Sequence, residues 1–129
     1  MAADTKNTTA NNMLDNLATL FPAGAVLEIR SGTSPGAEAS ATGTLLATIT
    51  LPATPWSAAS SGSKAKNGTW SDASADATGT AGYYRLRNAG DTERIDGTVA
   101  VSGADLNLDS VAITATQTVT ISTFSYAMA

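Results

Sequence analysis

Apolar residues recur along this chain with two periods. Met13, Leu14, Leu17, Leu20 and Phe21 follow i, i+1, i+4, i+7, i+8 spacing, which predicts one apolar face of a helix. Thr8 or Thr9 stands where a cap is needed, and Pro22 and Gly24 end the pattern. Residues 1–8 ahead of it are polar and unpatterned, which predicts an extended arm. The helical stripe has two uses: packing against the core of the same chain, or docking to a partner subunit.

From Ala25 the period falls to two. Ala25, Leu27 and Ile29 alternate with Val26, Glu28 and Arg30 until Ser31-Gly32. A second strand places Leu45, Ala47, Ile49 and Leu51 on one face and Leu46, Thr48 and Thr50 on the other, ending at Pro52. Between them, Thr33 to Thr44 is loop chemistry. Residues 53–82 are rich in Ser, Ala and Gly, with Trp56 and Trp70 as bulky anchors and a tight-turn signal at Asn67-Gly68. Tyr84 and Leu86 then oppose Tyr83, Arg85 and Arg87, and Asn88 to Asp91 reads as a turn. Ile95, Gly97, Val99 and Val101 alternate with Arg94, Asp96, Thr98 and Ala100 until Ser102 to Asp105 break the run. Two strands close the chain, about 111–115 and 118–126. In the last, Val119 and Ile121 hold one parity and Phe124 and Tyr126 the other, so a bulge is expected near Ser122, or burial on both faces.

Seven to eight short strands with no intervening helices predict an all-β fold, an antiparallel jelly-roll-like β-sandwich. The expected division is residues 1–24, arm and short helix, and residues 25–129, the sandwich.

Composition thins the expected core. Ala (25), Thr (20), Ser (13) and Gly (11) dominate the 129 residues, and only 30 larger apolar side chains remain. A net charge of −4 with seven Lys and Arg, in no basic run, offers no footprint for nucleic acid or for an anionic membrane surface. The chain has no His and no Cys, which removes the neutral-pH base, thiolate nucleophiles and zinc clusters. The first ten residues form no apolar leader, so a soluble chain without a secretion signal is expected.

Three patterns mimic chemistry. Gly32-Thr-Ser-Pro-Gly36 matches the G-x-S-x-G nucleophile elbow, but the residue after Ser34 is Pro35, which has no N–H for an oxyanion hole. Asp105-Leu-Asn-Leu-Asp109 matches half a calcium loop, yet Ser110 replaces the turn Gly and Thr116 the closing Glu. Strand alternation explains it better, with Leu106 and Leu108 inward and Asp105, Asn107 and Asp109 wet. Glu28, Asp91, Glu93 and Asp96 have no spacing that requires a catalytic pair; solvated strand faces with Arg30 and Arg94 as partners account for them. Trp56, Trp70, Tyr83, Tyr84 and Tyr126 suit a sugar platform or, in so alanine-rich a chain, core filling. The sequence therefore predicts no enzyme, no catalytic or metal residue, no cofactor and no small-molecule substrate.

Longer phrases are more specific. Gly43 to Leu51, Gly82 to Arg87, Asp96 to Ser110 and Gln117 to Tyr126, with the helix Met13 to Phe21 and the run Val26 to Thr33, resemble a family of small virion proteins of tailed bacteriophages. The resemblance implies a head decoration, or cement, protein made in the host bacterial cytoplasm and carried on the outer surface of the head. There it would bridge neighbouring major capsid protein subunits, associating with itself as a dimer or trimer. An arm that orders on assembly and an apolar helix then make Asp4, Lys6, Asn7, Leu14, Leu17, Leu20 and Phe21 the candidate subunit or capsid contacts. A tail or baseplate component of the same virion, or a carbohydrate- or receptor-binding module, is the alternative.

Overall fold

The computed structural model describes residues 7–127. The predicted helix is present in two pieces, α1 (Asn7–Asp15) and α2 (Leu17–Leu20), jointed at Asn16. Asn7 and Thr8 are helical and not part of an extended arm, and Thr8 and Thr9 lie inside the helix where a cap was predicted. Residues 1–6 of that arm lie outside the described residues. The buried stripe runs through Ala10, Leu14, Leu17 and Phe21, whereas Met13, predicted on it, is 54% exposed. Spacing of four, three and four keeps the first set on one side; Met13 is turned about 100° from Leu14 at 3.6 residues per turn.

Among the described residues, ten strands follow. They are β1 (Val26–Arg30), β2 (Leu45–Thr50), β3 (Ser63–Ala65), β4 (Ser71–Asp72), β5 (Gly79–Thr80), β6 (Tyr83–Arg87), β7 (Arg94–Ala100), β8 (Leu106–Leu108), β9 (Ala112–Ile113) and β10 (Val119–Ala127). The chain is mostly β with one short N-terminal helical segment. Beyond the predicted number are two- and three-residue pieces, three of them inside the Ser/Ala/Gly-rich stretch 53–82. Such pieces are too short to show a period.

One sheet runs β2-β1-β6-β7-β8-β10-β3, with β4 also on β10, and β5 and β9 form a separate ribbon. The sheet is mixed, which corrects the antiparallel expectation: β7 and β8 are parallel through Val99↔Leu106 and Ala100↔Asn107. Only two residue pairs are involved, so the short excursion through Gly103 replaces the long crossover that an extended parallel pair needs. In β10 the register slips between Ile121 and Thr123, placing the bulge at Ser122 and turning both Ile121 and Phe124 inward.

The sheet curls until its first strand meets its other end. The β2 backbone groups that β1 leaves free are taken by residues 72–77. Thr48 N–H donates to Asp72 Oδ2 (3.0 Å), and Leu46 C=O accepts from the N–H of Asp76 (2.8 Å). Leu46, predicted opposite the apolar face, is fully buried because Gly79 of the β5–β9 ribbon lies against it. Inside the curl, Trp56–Trp70 and Tyr84–Phe124 meet edge to face, each with centroids 5.2 Å apart, and Phe124 is tilted against both indoles. Leu14, Leu17 and Phe21 belong to the same cluster as Leu27, Ile29 and Leu86. The helix and the strands therefore share one core across residues 24 and 25.

Candidate functional site

The loop Asn88 to Glu93, closed by Asn88 N–H on Glu93 C=O (3.2 Å), fixes the β6–β7 register, pairing Arg87 with Arg94, Arg85 with Asp96 and Tyr84 with Gly97. On the other side of β6, Glu28 of β1 lies opposite Arg85 and Ile29 opposite Tyr84. Strand alternation then sorts the side chains. Leu27, Ile29, Tyr84 and Leu86 enter the core, while Glu28, Arg30, Tyr83, Arg85, Arg87, Arg94 and Asp96 share the opposite face. All four arginines of the chain stand there.

The centre of this charged face, Arg85, Asp96 and Tyr83, is covered and not bathed in solvent, and its cover is the loop 31–44. Arg85 makes a paired contact with Asp96, from Nε to Oδ1 (2.8 Å) and from Nη2 to Oδ2 (3.0 Å), and its Nη2 also donates to Gly36 C=O. The Arg85 and Asp96 side chains are 3% and 6% exposed. Ser34 Oγ donates to Asp96 Oδ2 and accepts from Gly36 N–H. Tyr83 Oη donates to Thr42 C=O (2.7 Å) and accepts from Thr42 N–H (3.1 Å). Arg94 Nη1 donates to the carbonyls of Ala37 and Ala39, while its Nε and Nη2 hold Asp91 at 2.7 and 2.8 Å. Glu28 is buried between Arg30 (3.0 Å) and Arg87 (3.3 Å).

These contacts set the electrostatics. Hydrogen bonding from Arg94 holds the Asp91 carboxyl below its usual range, and that bond in turn raises the Arg94 guanidinium. The Asp96 carboxylate likewise raises Arg85, outweighing the burial that opposes it. At the mouth of the assembly lies an open-sided cleft of about 390 Å³. It is lined by Arg30, Arg85, Arg87, Arg94, Glu28 and Asp91, with Ser40 and Ala41 of the loop.

The two predicted cation–anion partners are present, Arg30 with Glu28 and Arg94 with Asp91. Sequence reasoning missed Arg85 and Arg87 and treated Asp96 as solvated. Numbering outward from the predicted turn Asn88–Asp91 sets Arg85 against Arg94; the loop closes two residues later, Asn88 N–H on Glu93 C=O, and so brings Asp96 opposite Arg85. Ser34 is an anchor of the loop, bonded to Asp96 and Gly36. In the half calcium loop, Leu106 and Leu108 are buried and the Asn107 amide bonds both Ala104 backbone groups and Thr123.

Of the candidate contact residues, Asp4 and Lys6 lie outside the described residues. Asn7 begins the described part of α1. Leu14, Leu17 and Phe21 are buried in the chain's own core and Leu20 is half-buried, so the stripe takes its core-packing use here. An apolar stripe lies against whatever core it can reach, and of the predicted stripe only Met13 is left exposed. Trp56, Trp70, Tyr83 and Tyr84 are likewise buried. No family model, curated protein or solved structure matches the chain.

Proposed function

We propose that this protein is a structural component of a tailed-bacteriophage virion: a jelly-roll-like decoration protein on the outer surface of the head, which cements the shell by bridging neighbouring major capsid protein subunits as a dimer or trimer. The observation that carries this reading is the set of phrases resembling such proteins. They fall on the framework itself: Gly43 to Leu51 on β2, Gly82 to Arg87 on β6, Asp96 to Ser110 across β7 and β8, and Gln117 to Tyr126 on β10. The use of the polar groups supports it. Ser34, Tyr83, Arg85 and Asp96, the side chains with most chemical potential, bind one another and the loop backbone. A carbohydrate platform finds no support in Trp56 and Trp70, which are 6% and 0% exposed.

The test is made on purified particles. A cement protein binds assembled shell and not free subunits, and so shifts the equilibrium toward shell. Heads lacking it should lose DNA or shape at lower temperature than heads carrying it, and electron microscopy should place its density on the shell exterior. Identical melting with and without it would overturn the cement role. Density on the tail or baseplate would make it a component of that part instead.

A further inference from the structure

We infer that the arginine cleft between β1, β6, β7 and residues 40–41 is a docking point for an acidic segment of another protein, one that presents Asp or Glu carboxylates. The inference does not depend on the virion reading, because it uses only the cleft and its charges.

Charge distribution is the first observation. The six ionised side chains lining the cleft comprise four arginines, Glu28 and Asp91, which gives +2. The whole chain carries −4, so everything outside the cleft sums to −6. An acidic partner meets net repulsion from the rest of the chain and its strongest attraction where the four arginines gather, with Glu38 and Glu93 bounding that ground on the Arg94 side.

Unused donors are the second. Among the described residues, Arg87 places only its Nε–H on a protein acceptor, Glu28. Arg30 uses Nε on Glu28 and reaches the Gly43 carbonyl at only 3.5 Å with Nη1. Both side chains line the cleft, Arg87 27% and Arg30 17% exposed, and their remaining guanidinium N–H groups meet no protein acceptor among the described residues. A planar fork of N–H groups pairs with a carboxylate through two parallel hydrogen bonds. Arg85 and Arg94, locked by Asp96 and Asp91, keep the rim in place before anything binds.

The lining also selects the class of partner. Small-molecule sites are mostly apolar cavities with a few polar groups, enclosing most of the ligand. This cleft is open-sided, and its lining holds six ionised side chains with Ser40 and Ala41. It has little apolar surface to hold a small ligand, but it suits charged side chains anchored by a larger interface, where arginine commonly carries binding energy.

The experiment titrates the purified full chain with an acetylated, amidated hexaglutamate peptide, followed by backbone amide NMR shifts, with sodium phosphate and hexalysine as comparison probes. Expected is saturable binding of hexaglutamate, with shifts centred on residues 28–30, 40–41, 85–87 and 91–94. It should weaken as salt rises, because exposed charges are screened beyond about 8–10 Å at physiological ionic strength. Arg87→Gln should weaken binding by about tenfold, as loss of a charged anchor does. Arg87→Lys, which keeps the charge but not the fork, should fall between, and Lys66→Gln, outside the cleft, should leave affinity unchanged. Thermal melts establish that each variant is folded. Absence of binding, shifts elsewhere, unchanged affinity in folded Arg87→Gln, or phosphate binding in place of hexaglutamate would each overturn the inference.

Discussion

Two positions show how single residues are constrained by what lies across the sheet. Gly97 faces the Tyr84 ring, and a Cβ there would overlap it, so the glycine inside β7 makes room for an aromatic of the core. Gly97→Val should cost about 1–3 kcal/mol through overpacking, read as a lower denaturation midpoint with an unchanged slope. Asp96 serves three partners at once: the Nε and Nη2 of Arg85 and the Ser34 hydroxyl. Asp96→Ala leaves the Arg85 charge buried and unpaired and should cost about 3–5 kcal/mol, measured by urea unfolding. Ser34→Ala removes a single bond and should cost about 1 kcal/mol. Burial, reinforced by the Asp105 charge, pushes the Tyr84 phenol well above its ordinary value of 10.0. An unfolded chain ionises there first, so stability should decline as pH rises past about 10, checked by alkaline unfolding. At this scale the sequence was legible in direction and not in cover. Alternation placed Glu28, Arg85 and Asp96 each on the polar side of its own strand, but no period reveals that the three meet or that a loop will fold over them.

The N-terminal helix is fastened as an element by its polar face as well as its apolar one. Asn11 Oδ1 accepts from Gly62 N–H, and Asp15 Oδ1 accepts from Ala59 N–H (3.0 Å) and from the buried Lys64 ammonium (2.8 Å). Trp56 Nε1 donates to the Phe21 carbonyl at 2.9 Å. The Lys64 and Ala59 bonds hold the Asp15 carboxyl below 3.8. Its folded value being lowered, its contribution is complete above pH 3.8 and is lost as pH falls through the lower folded value. Acid titration of tryptophan emission should therefore show a change in that range, and Asp15→Asn should remove it. Every one of these fasteners lies at residue 11 or beyond, so removing residues 1–6 should leave the melting temperature within about 2 °C. Leu17→Asp, by contrast, puts a charge into the core and should prevent cooperative folding. The helix was legible as an apolar stripe because Leu14, Leu17 and Phe21 keep its spacing. Its docking on β3 was not, since Ser63 to Ala65 is too short and too small-residued to announce a strand. The bulge at Ser122 was legible because a nine-residue strand is long enough for a parity change to show.

At the scale of the molecule, circular dichroism should be β-dominated with helix below about a quarter, since the helix is confined to two short pieces and the rest follows the period-two reading. The overall class was readable from that period. The curl was not, because it depends on residues 72–77 meeting β2, a pairing between Asp72 and Thr48 made through a side chain. The helix fasteners reach to residues 56–64, with Asn11 and Gly62 51 positions apart. β3 in turn is held by β10, which supplies Val119, Ile121 and Phe124 to the core. Synthesis runs in the opposite sense, delivering the helix first and β10 last of these strands. With a ribosome adding about 5–20 residues per second, the helix stripe waits several seconds for the strands that shelter it. Long-range closure of this kind is slow to nucleate. Ribosome-stalled chains ending at residue 118 should thus remain protease-sensitive from their first helix onward, and protection should arrive for helix and sheet together once the last strand has emerged.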